Sequence, residues 1–213
     1  MSIESSRDSY TSRPLEEGSL DRDPILALRA WLDDAYACSE LREPNAMTLA
    51  TADARGRVSA RIVLLRGLDG RGLQFYTSYF SRKAAQLEEN PRAAATFFWA
   101  PLHRQVRIEG TVAQLSEDES DSYFASRPRG HQLSAWASEQ SAFLERREIL
   151  AERMAHFQER FAEHDVPRPH SWGGYVLAPD YLEFWQGQEN RLHDRLAFER
   201  AGAANWTLRR LQP

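Results

Sequence analysis

The amino-acid sequence predicts an α+β protein, a closed or partly closed antiparallel β-barrel with helices packed outside it. Strand patterns dominate both ends of the chain, and the helical patterns lie between them, at residues 81–90 and 116–163. Because strands and helices do not alternate regularly, a doubly wound parallel sheet fits poorly. Several strands also follow one another across connections too short for a crossover helix, which indicates antiparallel pairing.

The N-terminal part of the chain predicts an arm followed by a helix. Residues 1–22 are polar and rich in serine, arginine and acidic side chains, which is typical of a flexible arm, and we expect one domain over residues 23–213. Asp23 can cap a helix whose first position is Pro24, where the missing N–H of proline costs nothing. An apolar stripe extends this helix to the neighbourhood of Cys38.

Three strands are predicted next, at Met47–Ala52, Val58–Leu65 and Leu73–Thr77. They are mainly apolar and are separated by turn sequences at residues 53–56 and 67–70. Because both connections are short, we expect these strands to be antiparallel neighbours.

The middle of the chain predicts a short helix, two strands and a longer helical region. The helix over residues 81–90 begins with a capping serine and is followed by proline. Strands follow at Ala93–Trp99 and Gln105–Leu115. The period is helical over residues 116–163, with a longer amphipathic helix at Phe143–Phe161. Four strands are predicted at the end of the chain: Gly174–Leu177, Tyr181–Trp185, Leu192–Phe198 and Trp206–Leu211.

Composition argues against several classes of protein. The chain has 213 residues and a formal net charge of -4, without the basic excess expected for nucleic-acid binding. No segment approaches the ~20 apolar residues of a membrane-spanning helix, and the polar N-terminus is unlike a secretory signal. Cys38 is the single cysteine, which excludes an internal disulfide and a cysteine-rich metal site. We therefore expect a soluble, cytoplasmic protein.

Common catalytic and metal-binding motifs are absent from the sequence. There is no P-loop, no G-x-G-x-x-G after a strand, no G-x-S-x-G elbow and no H-E-x-x-H. The histidines show no metal-ligand spacing, so no metal is expected. Chemistry must therefore be sought in cations placed within apolar patterns.

One group of cations predicts a phosphate site. Arg61 interrupts a predicted strand, and a guanidinium binds phosphate through two parallel hydrogen bonds. Arg82 and Lys83 stand at the start of a predicted helix, where free N–H groups and the helix dipole favour anions. A solvent-facing Arg61 is the alternative. Taken together, the three side chains predict a phosphate pocket between a strand and a helix.

A second group follows the acidic helix and contains Tyr123, Arg127, Arg129 and His131. Its alternative interpretation is an ordinary solvated helix face.

A third group lies near the C-terminus. If Leu192–Phe198 is a strand, then Arg191, His193 and Arg195 lie on one face of it, because side chains alternate with a period of two. Three cationic groups on one face repel each other, and we therefore expect an anionic ligand opposite them.

Eight short segments occur in one order along the chain. They are R-I-V-L-L-R at 61–66, F-Y-T-S-Y-F-S-R-K-A at 75–84, R-Q-V-R-I-E-G at 104–110, Y-F-A-S-R-P-R at 123–129, Q-S at 140–141, W-G-G-Y at 172–175, E-F-W-Q-G at 183–187 and R-L-H-D-R at 191–195. With them the sequence resembles the pyridoxamine 5′-phosphate oxidase family, flavoproteins that make pyridoxal 5′-phosphate, from about Arg7 to Pro213. The resemblance implies a homodimeric split β-barrel, Greek-key-like, with two FMN sites at the subunit interface.

The resemblance also implies roles for individual residues. The FMN phosphate would be held by Arg61, Arg82 and Lys83. Other contacts to the cofactor would come from Ile62, Val63, Leu64, Leu65, Arg66, Tyr76, Thr77, Gln105, Gln140, Ser141, Trp185 and Arg195. The substrate phosphate would be bound by Arg66, Tyr123, Arg127 and His131. Arg191 and His193 would be the catalytic pair facing the pyridine ring, and Arg7 and Tyr10 would close over the site from the arm.

Two positions depart from the family pattern. Arg66 stands where lysine is usual, and His131 stands where several members have serine. Both residues can still bind phosphate, although the contribution of His131 falls as its ring loses a proton.

The reaction implied by the resemblance is hydride transfer from a B6 phosphate to flavin, with O2 as the final acceptor and H2O2 as a product. Pyridoxamine 5′-phosphate would also release ammonia. Two alternatives stay open at this point: the related flavin oxidase of phenazine biosynthesis, and a non-catalytic flavin-binding barrel.

Overall fold

A curled antiparallel sheet organises the computed structural model, which describes residues 10, 12–202 and 205–213. Within these residues the sheet has nine strands: β1 Ala46–Ala52, β2 Val58–Leu64, β3 Gly67–Asp69, β4 Gly72–Ser78, β5 Arg92–Trp99, β6 Arg104–Gln114, β7 Trp172–Gln186, β8 Asp194–Arg200 and β9 Trp206–Leu211. The α-helices are α1 Pro24–Ala37, α2 Arg82–Glu89, α3 Glu117–Ser126, α4 Arg129–Ala137 and α5 Glu148–Arg160. Short 3-10 turns occur at Glu17–Ser19, Ala100–Leu102 and Glu189–Arg191.

The strand order explains how the sheet curls. The path is β2-β1-β5-β6-β7-β4-β3, and β8 and β9 extend from the second half of β7. β2 and β3 lie at opposite ends of this path but are joined directly by Leu65 and Arg66. The amide of Leu65 donates to the carbonyl of Asn45, and the amide of Arg66 donates to the carbonyl of Gln74. The chain therefore crosses from one edge to the other, and the predicted antiparallel barrel is confirmed.

Strand pairing differs from the sequence prediction in one respect. β1 and β2 are antiparallel neighbours as expected, but β4 pairs with β7 and β3 rather than with β2. The segment at residues 67–70, predicted as a turn, supplies strand β3. The short connection after β2 would have allowed β2 to pair directly with β4. Because the sheet curls, the chain instead passes from β2 at one edge of the sheet to β3 at the other edge.

Two predicted strands are one. β7 runs continuously through residues 172–186, and its register against β6 shifts between Glu109 and Gly110. A Cβ on Gly110 would lie 2.1 Å from the carbonyl oxygen of Ala178, so only glycine allows the two backbones this approach. The irregularity lies opposite Pro179, in the gap between the two predicted strands.

Helix α5 begins at Glu148, five residues after the predicted start at Phe143. Phe143 is 93% exposed, and Ser141 has a left-handed backbone with φ of 72°. The apolar pattern before residue 148 therefore has no core to face, and the segment remains a loop.

The main core fills the curl of the sheet. Met47, Phe75 and Phe184 are fully buried in it, each from a different strand. α1 begins at the predicted Asp23 cap and adds Trp31, whose ring meets Phe184 edge to face at 5.0 Å. Close packing of this kind holds the strands at fixed positions and so fixes the side chains on the other sheet face.

A second, smaller core joins α3, α4 and α5 to the start of β7. It contains Phe124, Leu133, Phe161, Val166 and Trp172. This core places the end of α3 beside β4, which brings the second cationic group of the sequence next to the first.

The predicted N-terminal arm is described only in part. Leu15 and Leu20 are buried in the main core. The division into an arm at residues 1–22 and a domain at 23–213 stays a prediction. Among the described residues, no helix combines the length and apolar character needed to cross a membrane.

Truncation of Leu28 to alanine should lower the free energy of unfolding by about 2–5 kcal/mol, because this fully buried side chain of α1 would leave a cavity. The same change at Leu26, which is 49% exposed on the same helix, should cost less than about 1 kcal/mol. Denaturant unfolding at equal protein concentration measures both. Equal losses would contradict the buried face assigned to α1.

Candidate functional site

A cavity of about 750 Å³ lies between β2, β4 and the helices α2 to α4. Many of the residues predicted for the site line it: Arg61, Ile62, Val63, Leu64, Arg66, Tyr76, Thr77, Lys83, Tyr123, Arg127, His131 and Gln140. Others that line it had no predicted role: Ser78, Ser126, Ser134, Ser138 and Trp172. Most members of the first and second cationic groups therefore share one cavity, whereas Arg82 and Arg129 do not line it.

Arg61 is held at the cavity by neutral oxygen atoms. Its Nη1 donates to the carbonyl of Leu49 at 3.1 Å and to Oγ1 of Thr51 at 2.7 Å, and its Nη2 donates to Oγ of Ser59. No carboxylate of the described residues forms an ion pair with it. Burial lowers the pKa of Arg61, and the charge of Arg82 lowers it further. The solvent-facing alternative for Arg61 is therefore wrong.

Lys83 is the second cation of this end. Its Nζ donates to Oγ1 of Thr77 at 2.8 Å and to Oε1 of Gln140 at 3.3 Å, both of which are neutral. Burial, with a smaller effect from the charge of Arg61, lowers the pKa of Lys83 to about 8. A cation whose pKa falls in this way lacks a counter-charge, and an anionic ligand would supply one.

The start of α2 adjoins these cations. Ser81 caps the helix through its side chain, as predicted. The amide of Arg82 donates to Oγ of Ser141 at 3.2 Å, so Ser141 lies at the helix N-terminus rather than in the cavity lining. Arg61 and Lys83 thus come together in the cavity from a strand and a helix. Arg82 is exposed and does not line the cavity, but it is close enough for its charge to act on Arg61.

Arg127 is the cation at the other end of the cavity. Its guanidinium lies 4.5 Å from the ring centroid of Trp172, and its Nη1 is buried without a hydrogen-bond partner among the residues that the structure describes. Burial lowers the pKa of Arg127, the nearby Tyr123 raises it, and the charge of Arg66 lowers it. A buried, unpartnered guanidinium nitrogen is a costly feature that an anionic ligand would satisfy.

Three aromatic rings form the wall behind Arg127. Tyr76 and Tyr123 stack with their centroids 3.8 Å apart, and Tyr76 and Trp172 stack at 5.5 Å. Trp172 had no predicted role, although its W-G-G-Y segment was part of the family resemblance. Its place in the second core was invisible in the sequence because α3, β4 and β7 meet only in the tertiary structure.

The remaining members of the phosphate-binding prediction lie nearby. Arg66 and His131 are exposed side chains that line the cavity, and His131 belongs to the first turn of α4. Leu65 is buried in the main core instead. Arg129 bonds to the carbonyls of Phe161 and His164 and does not line the cavity.

The third cationic group lies away from the cavity. β8 begins only at Asp194, so Arg191 and His193 belong to the preceding turn, and the prediction that they share a strand face with Arg195 is wrong. The backbone of Arg191 is left-handed, with φ of 62°, which a strand does not allow. Cations do alternate at positions 191, 193 and 195, but β8 begins after the first two of them, so the strand does not align the three side chains.

Four rings come together at this turn, and we call them the turn cluster: Tyr10, His103, Trp185 and His193. The centroid of His193 lies 4.7 Å from that of Trp185, and Tyr10 approaches both His103 and His193 edge to face. Gln105 pairs with Trp185 across β6 and β7. Arg7 lies outside the described residues.

The anion opposite Arg195 is a side chain of the protein. Glu183 is only 2% exposed and binds Arg195 through both carboxylate oxygens, at 2.8 and 3.1 Å. It also accepts from Arg107 at 3.0 Å and from the hydroxyl of Tyr181 at 2.9 Å. Burial raises the pKa of Glu183, but the hydrogen bonds from Arg195 and Tyr181 and the charges of Arg195 and Arg107 together hold the pKa below its ordinary value. Sequence reasoning missed this residue, although it lies two positions before Trp185 on the same strand face.

The outward face of the sheet carries exposed apolar side chains. Val58 is 69% exposed, Ile62 is 62% exposed and Phe98 is 57% exposed. Small residues such as Ala50 and Ala94 pair between them across β1 and β5. An apolar surface of this kind on a sheet is typical of a protein–protein interface.

The curled sheet with its outer helices defines a split β-barrel, and the cations of its cavity favour phosphate-bearing ligands. Residues 33–161 match the family described as pyridoxamine 5′-phosphate oxidase. Residues 172–213 match the pyridoxine 5′-phosphate oxidase C-terminal dimerisation region.

Relatives with curated names agree with these matches. The chain is 54% identical over 207 residues to pyridoxine/pyridoxamine 5′-phosphate oxidase of Rubrobacter xylanophilus, which covers 97% of this chain and 94% of the relative. It is 53% identical over 209 residues to the protein of that name from Salinibacter ruber, which covers 97% of both chains.

Solved structures show the same fold. PhzG from Burkholderia lata 383, in complex with tetrahydrophenazine-1-carboxylic acid, has a TM-score of 0.89 and 34% identity over 97% of this chain and all of its own. A pyridoxamine 5′-phosphate oxidase-related, FMN binding protein from Nostoc punctiforme has a TM-score of 0.71 at 17% identity, covering 89% of this chain and 97% of its own. The chain therefore belongs to the pyridoxamine 5′-phosphate oxidase family. It is an oxidoreductase, the family supports a flavin cofactor, and the C-terminal match supports a homodimer.

Replacement of Glu183 by glutamine should lower the free energy of unfolding at neutral pH by about 3 kcal/mol, because two arginines would lose their buried carboxylate. The control is Glu109→Gln, which removes an exposed partner of the same Arg107 and should cost below about 1 kcal/mol. Denaturant unfolding measures both.

The stability difference between wild type and Glu183→Gln should depend on pH, because the pKa of Glu183 is lowered in the folded protein. Since the pKa of Glu183 is lowered in the folded protein, its ion pairs stabilise fully above the unfolded pKa of a glutamate and lose this effect as pH falls through the folded pKa. The difference between wild type and Glu183→Gln should therefore narrow in acid. A difference that grows in acid would contradict the assignment.

Proposed function

We propose that the protein is an FMN-dependent oxidase that converts pyridoxine 5′-phosphate and pyridoxamine 5′-phosphate to pyridoxal 5′-phosphate. The alcohol and O2 give the aldehyde and H2O2; the amine, O2 and water give the aldehyde, ammonia and H2O2. The observation that carries the proposal is a single cavity with cations at both ends and no carboxylate paired to them among the described residues. Two phosphorylated rings would provide the two missing anions.

The first end of the cavity fits the phosphate of FMN. Arg61 and Lys83 line it from β2 and the N-terminus of α2, and the exposed Arg82 adds its charge nearby. Backbone N–H groups and the dipole of α2 add to the positive charge. Ile62, Val63, Leu64, Tyr76 and Thr77 line the cavity beside this pocket. Their mixture of apolar side chains and backbone polar groups suits a flat, partly polar ring system.

The second end fits the phosphate of the substrate. Arg127 would satisfy its buried Nη1 by donating to a phosphate oxygen, and Arg66, Tyr123 and His131 stand close enough to line the same part of the cavity. Arg66 in place of lysine keeps the charge in a planar form that can bind two oxygens at once.

The turn cluster belongs to the same site only in a dimer. Trp185, Arg191, His193 and Arg195 do not line the cavity of their own chain. The exposed apolar sheet face is continuous with β6 and β7, which carry Gln105 and Trp185. We infer that the sheet faces of two chains pack together and that each turn cluster completes the cavity of the partner subunit, with FMN at the interface.

A bound flavin supplies the hydride acceptor and later passes the electrons to O2. The residues of this chain bind and orient the substrate. His193 accepts a hydrogen bond from the amide of Gln188 at its Nδ1, so the proton of the neutral ring is on Nε2, where it can donate to the oxygen or nitrogen on the reacting carbon. Burial and the charge of Arg191 lower the pKa of His193, which favours this neutral form at pH 7.

Two other functions remain as outcomes of the test. The structural likeness to PhzG favours a phenazine-type oxidase as the second candidate. The higher identity to the named B6 phosphate oxidases favours the phosphate substrates. The buried Nη1 of Arg127, which has no hydrogen-bond partner among the described residues, favours them as well. A non-catalytic barrel would bind flavin without reducing it.

The deciding experiment is a visible spectrum of the purified, FMN-loaded protein during anaerobic addition of pyridoxine 5′-phosphate. Bleaching of the yellow flavin band, followed by its return and H2O2 release on admission of air, is the expected result. Reduction by tetrahydrophenazine-1-carboxylic acid alone would favour the second candidate. A protein that cannot be loaded with FMN would contradict both enzymatic functions.

Arg127→Ala should lower kcat/KM for pyridoxine 5′-phosphate by about 100-fold, because a charged hydrogen bond to phosphate is lost, while bound FMN keeps its absorbance. Arg146→Ala is the control, because Arg146 forms an exposed ion pair with Glu152 of α5 and does not line the cavity. Steady-state oxygen uptake measures both. Unchanged kinetics in Arg127→Ala would remove its assignment.

FMN affinity should fall as pH rises above about 8. The pKa of Lys83 in the ligand-free pocket is about 8, so the lysine is neutral above that pH and binding must take up a proton to restore its charge. The FMN phosphate remains a dianion throughout, since its second pKa is about 6.

Lys83→Arg is the matched variant, because a guanidinium stays charged and should give an affinity nearly independent of pH up to about 9.5. Titration of FMN fluorescence with the apoprotein measures both affinities. Identical pH curves for the two proteins would show that Lys83 does not face the phosphate.

A further inference from the structure

The carboxylate of Asp194 joins three segments that are far apart in the sequence. Its Oδ2 accepts from the amide of Leu15 at 3.0 Å and from Nε2 of Gln188 at 2.9 Å. Its Oδ1 accepts from Nη1 of Arg210 at 2.7 Å. One side chain of β8 thus connects the N-terminal segment, the turn before β8 and strand β9.

Arg210 binds the same N-terminal segment from the other side. Its Nη2 donates to the carbonyl of Leu15 at 2.8 Å, and its Nε donates to Oε1 of Glu17 at 2.8 Å. Both backbone polar groups of Leu15 are therefore held, the amide by Asp194 and the carbonyl by Arg210. Gln188 adds a bond to the carbonyl of Arg13 at 3.1 Å. We call Asp194, Arg210 and Gln188 the clamp.

The clamp lies where the N-terminal segment meets the turn cluster. Tyr10, five residues before Leu15, packs edge to face against Trp185 and His193, with centroids at 5.9 and 5.7 Å. A Cβ on Gly187 would lie 2.8 Å from Cγ of Tyr10, so the ring sits directly on the chain at the start of the turn. Small shifts of the segment would therefore move Tyr10 relative to His193.

The turn that carries Arg191 and His193 also requires support. Asn190 and Arg191 both have left-handed backbones, with φ of 53° and 62°, which residues other than glycine rarely adopt. The bond from Gln188 to Asp194 spans this turn, and the amide of Gln188 donates to Nδ1 of His193. Asp194 thus holds both the segment above the turn and the turn itself.

We propose that Asp194 is a positioning residue: through Arg210, Leu15 and Gln188 it sets the place of Tyr10 against the turn that carries Arg191 and His193. The proposal rests on the proposed function for its effect on catalysis. Asp194 does not line the cavity, and its two carboxylate oxygens bind Leu15, Gln188 and Arg210. A loosened clamp would leave the chemical groups in place but misalign them, and misalignment by about 1 Å reduces rates strongly.

Asp194→Asn keeps the size of the side chain and removes the charge that binds Arg210. We expect kcat/KM for pyridoxine 5′-phosphate to fall about tenfold. FMN affinity should stay within about twofold, since Asp194, Arg210 and Gln188 do not line the cavity that contains Arg61 and Lys83. Hydrogen exchange of the Leu15 amide should become faster in the same variant. Asp69→Asn is the control, because Asp69 pairs with Arg71 where β3 meets β4, away from the outward sheet face, and should change neither quantity.

Arg210→Gln tests the clamp from its other end without touching β8, and Arg210 is exposed enough for this variant to fold. It should show the same two changes. The double variant with Asp194→Asn should lose no more activity than the worse single variant, because the two residues act as a unit.

Additive losses, or full activity despite faster Leu15 exchange, would overturn the proposal, and so would unchanged Leu15 exchange in Asp194→Asn. Failure of the proposed function has a different signature: the wild-type protein would then oxidise neither B6 phosphate. In that case the hydrogen-exchange rate of the Leu15 amide alone decides whether Asp194 holds the N-terminal segment. An unchanged rate in Asp194→Asn would then contradict the proposed role of the clamp.

Discussion

The cavity between β2, β4 and the helices α2 to α4 contains half-buried positive charges that have no counter-charge among the described residues, and the rest of the site depends on this feature. Arg61, Lys83 and Arg127 are each lowered in pKa by burial, and none is paired with a carboxylate among the described residues. The folded chain bears this cost because sheet hydrogen bonding and two apolar cores hold the backbone beneath these side chains. A ligand with two separated anionic ends, or two anionic ligands, relieves it.

The arginines outside the cavity show the contrasting arrangement. Arg195 binds the buried Glu183, and Arg210 binds Glu17 and Asp194. These pairs hold strands and turns in place and leave little charge for a ligand. A carboxylate partner therefore distinguishes Arg195 and Arg210, which support the structure, from Arg61 and Arg127, which we propose bind phosphate.

The two parts of the proposed site meet only if two chains associate. The cavity and the turn cluster lie apart on one chain, and the exposed apolar side chains of the outward sheet face lie on strands continuous with the turn cluster. Burial of this face in a homodimer would join the two parts, and it would make assembly a condition for activity rather than an addition to it.

Local patterns in the sequence determined most of the strands and the capped helices α1 and α2, because caps and hydrophobic periods act over a few residues. The family motifs also marked most of the side chains that line the cavity. Tertiary structure alone decided the pairing of β4 with β7, the late start of β8 that separates His193 from Arg195, and the roles of Trp172, Glu183 and Asp194. Each of these depends on contacts between segments that are distant in the chain. A short-range pattern does not indicate which distant carboxylate or ring will contact a given side chain.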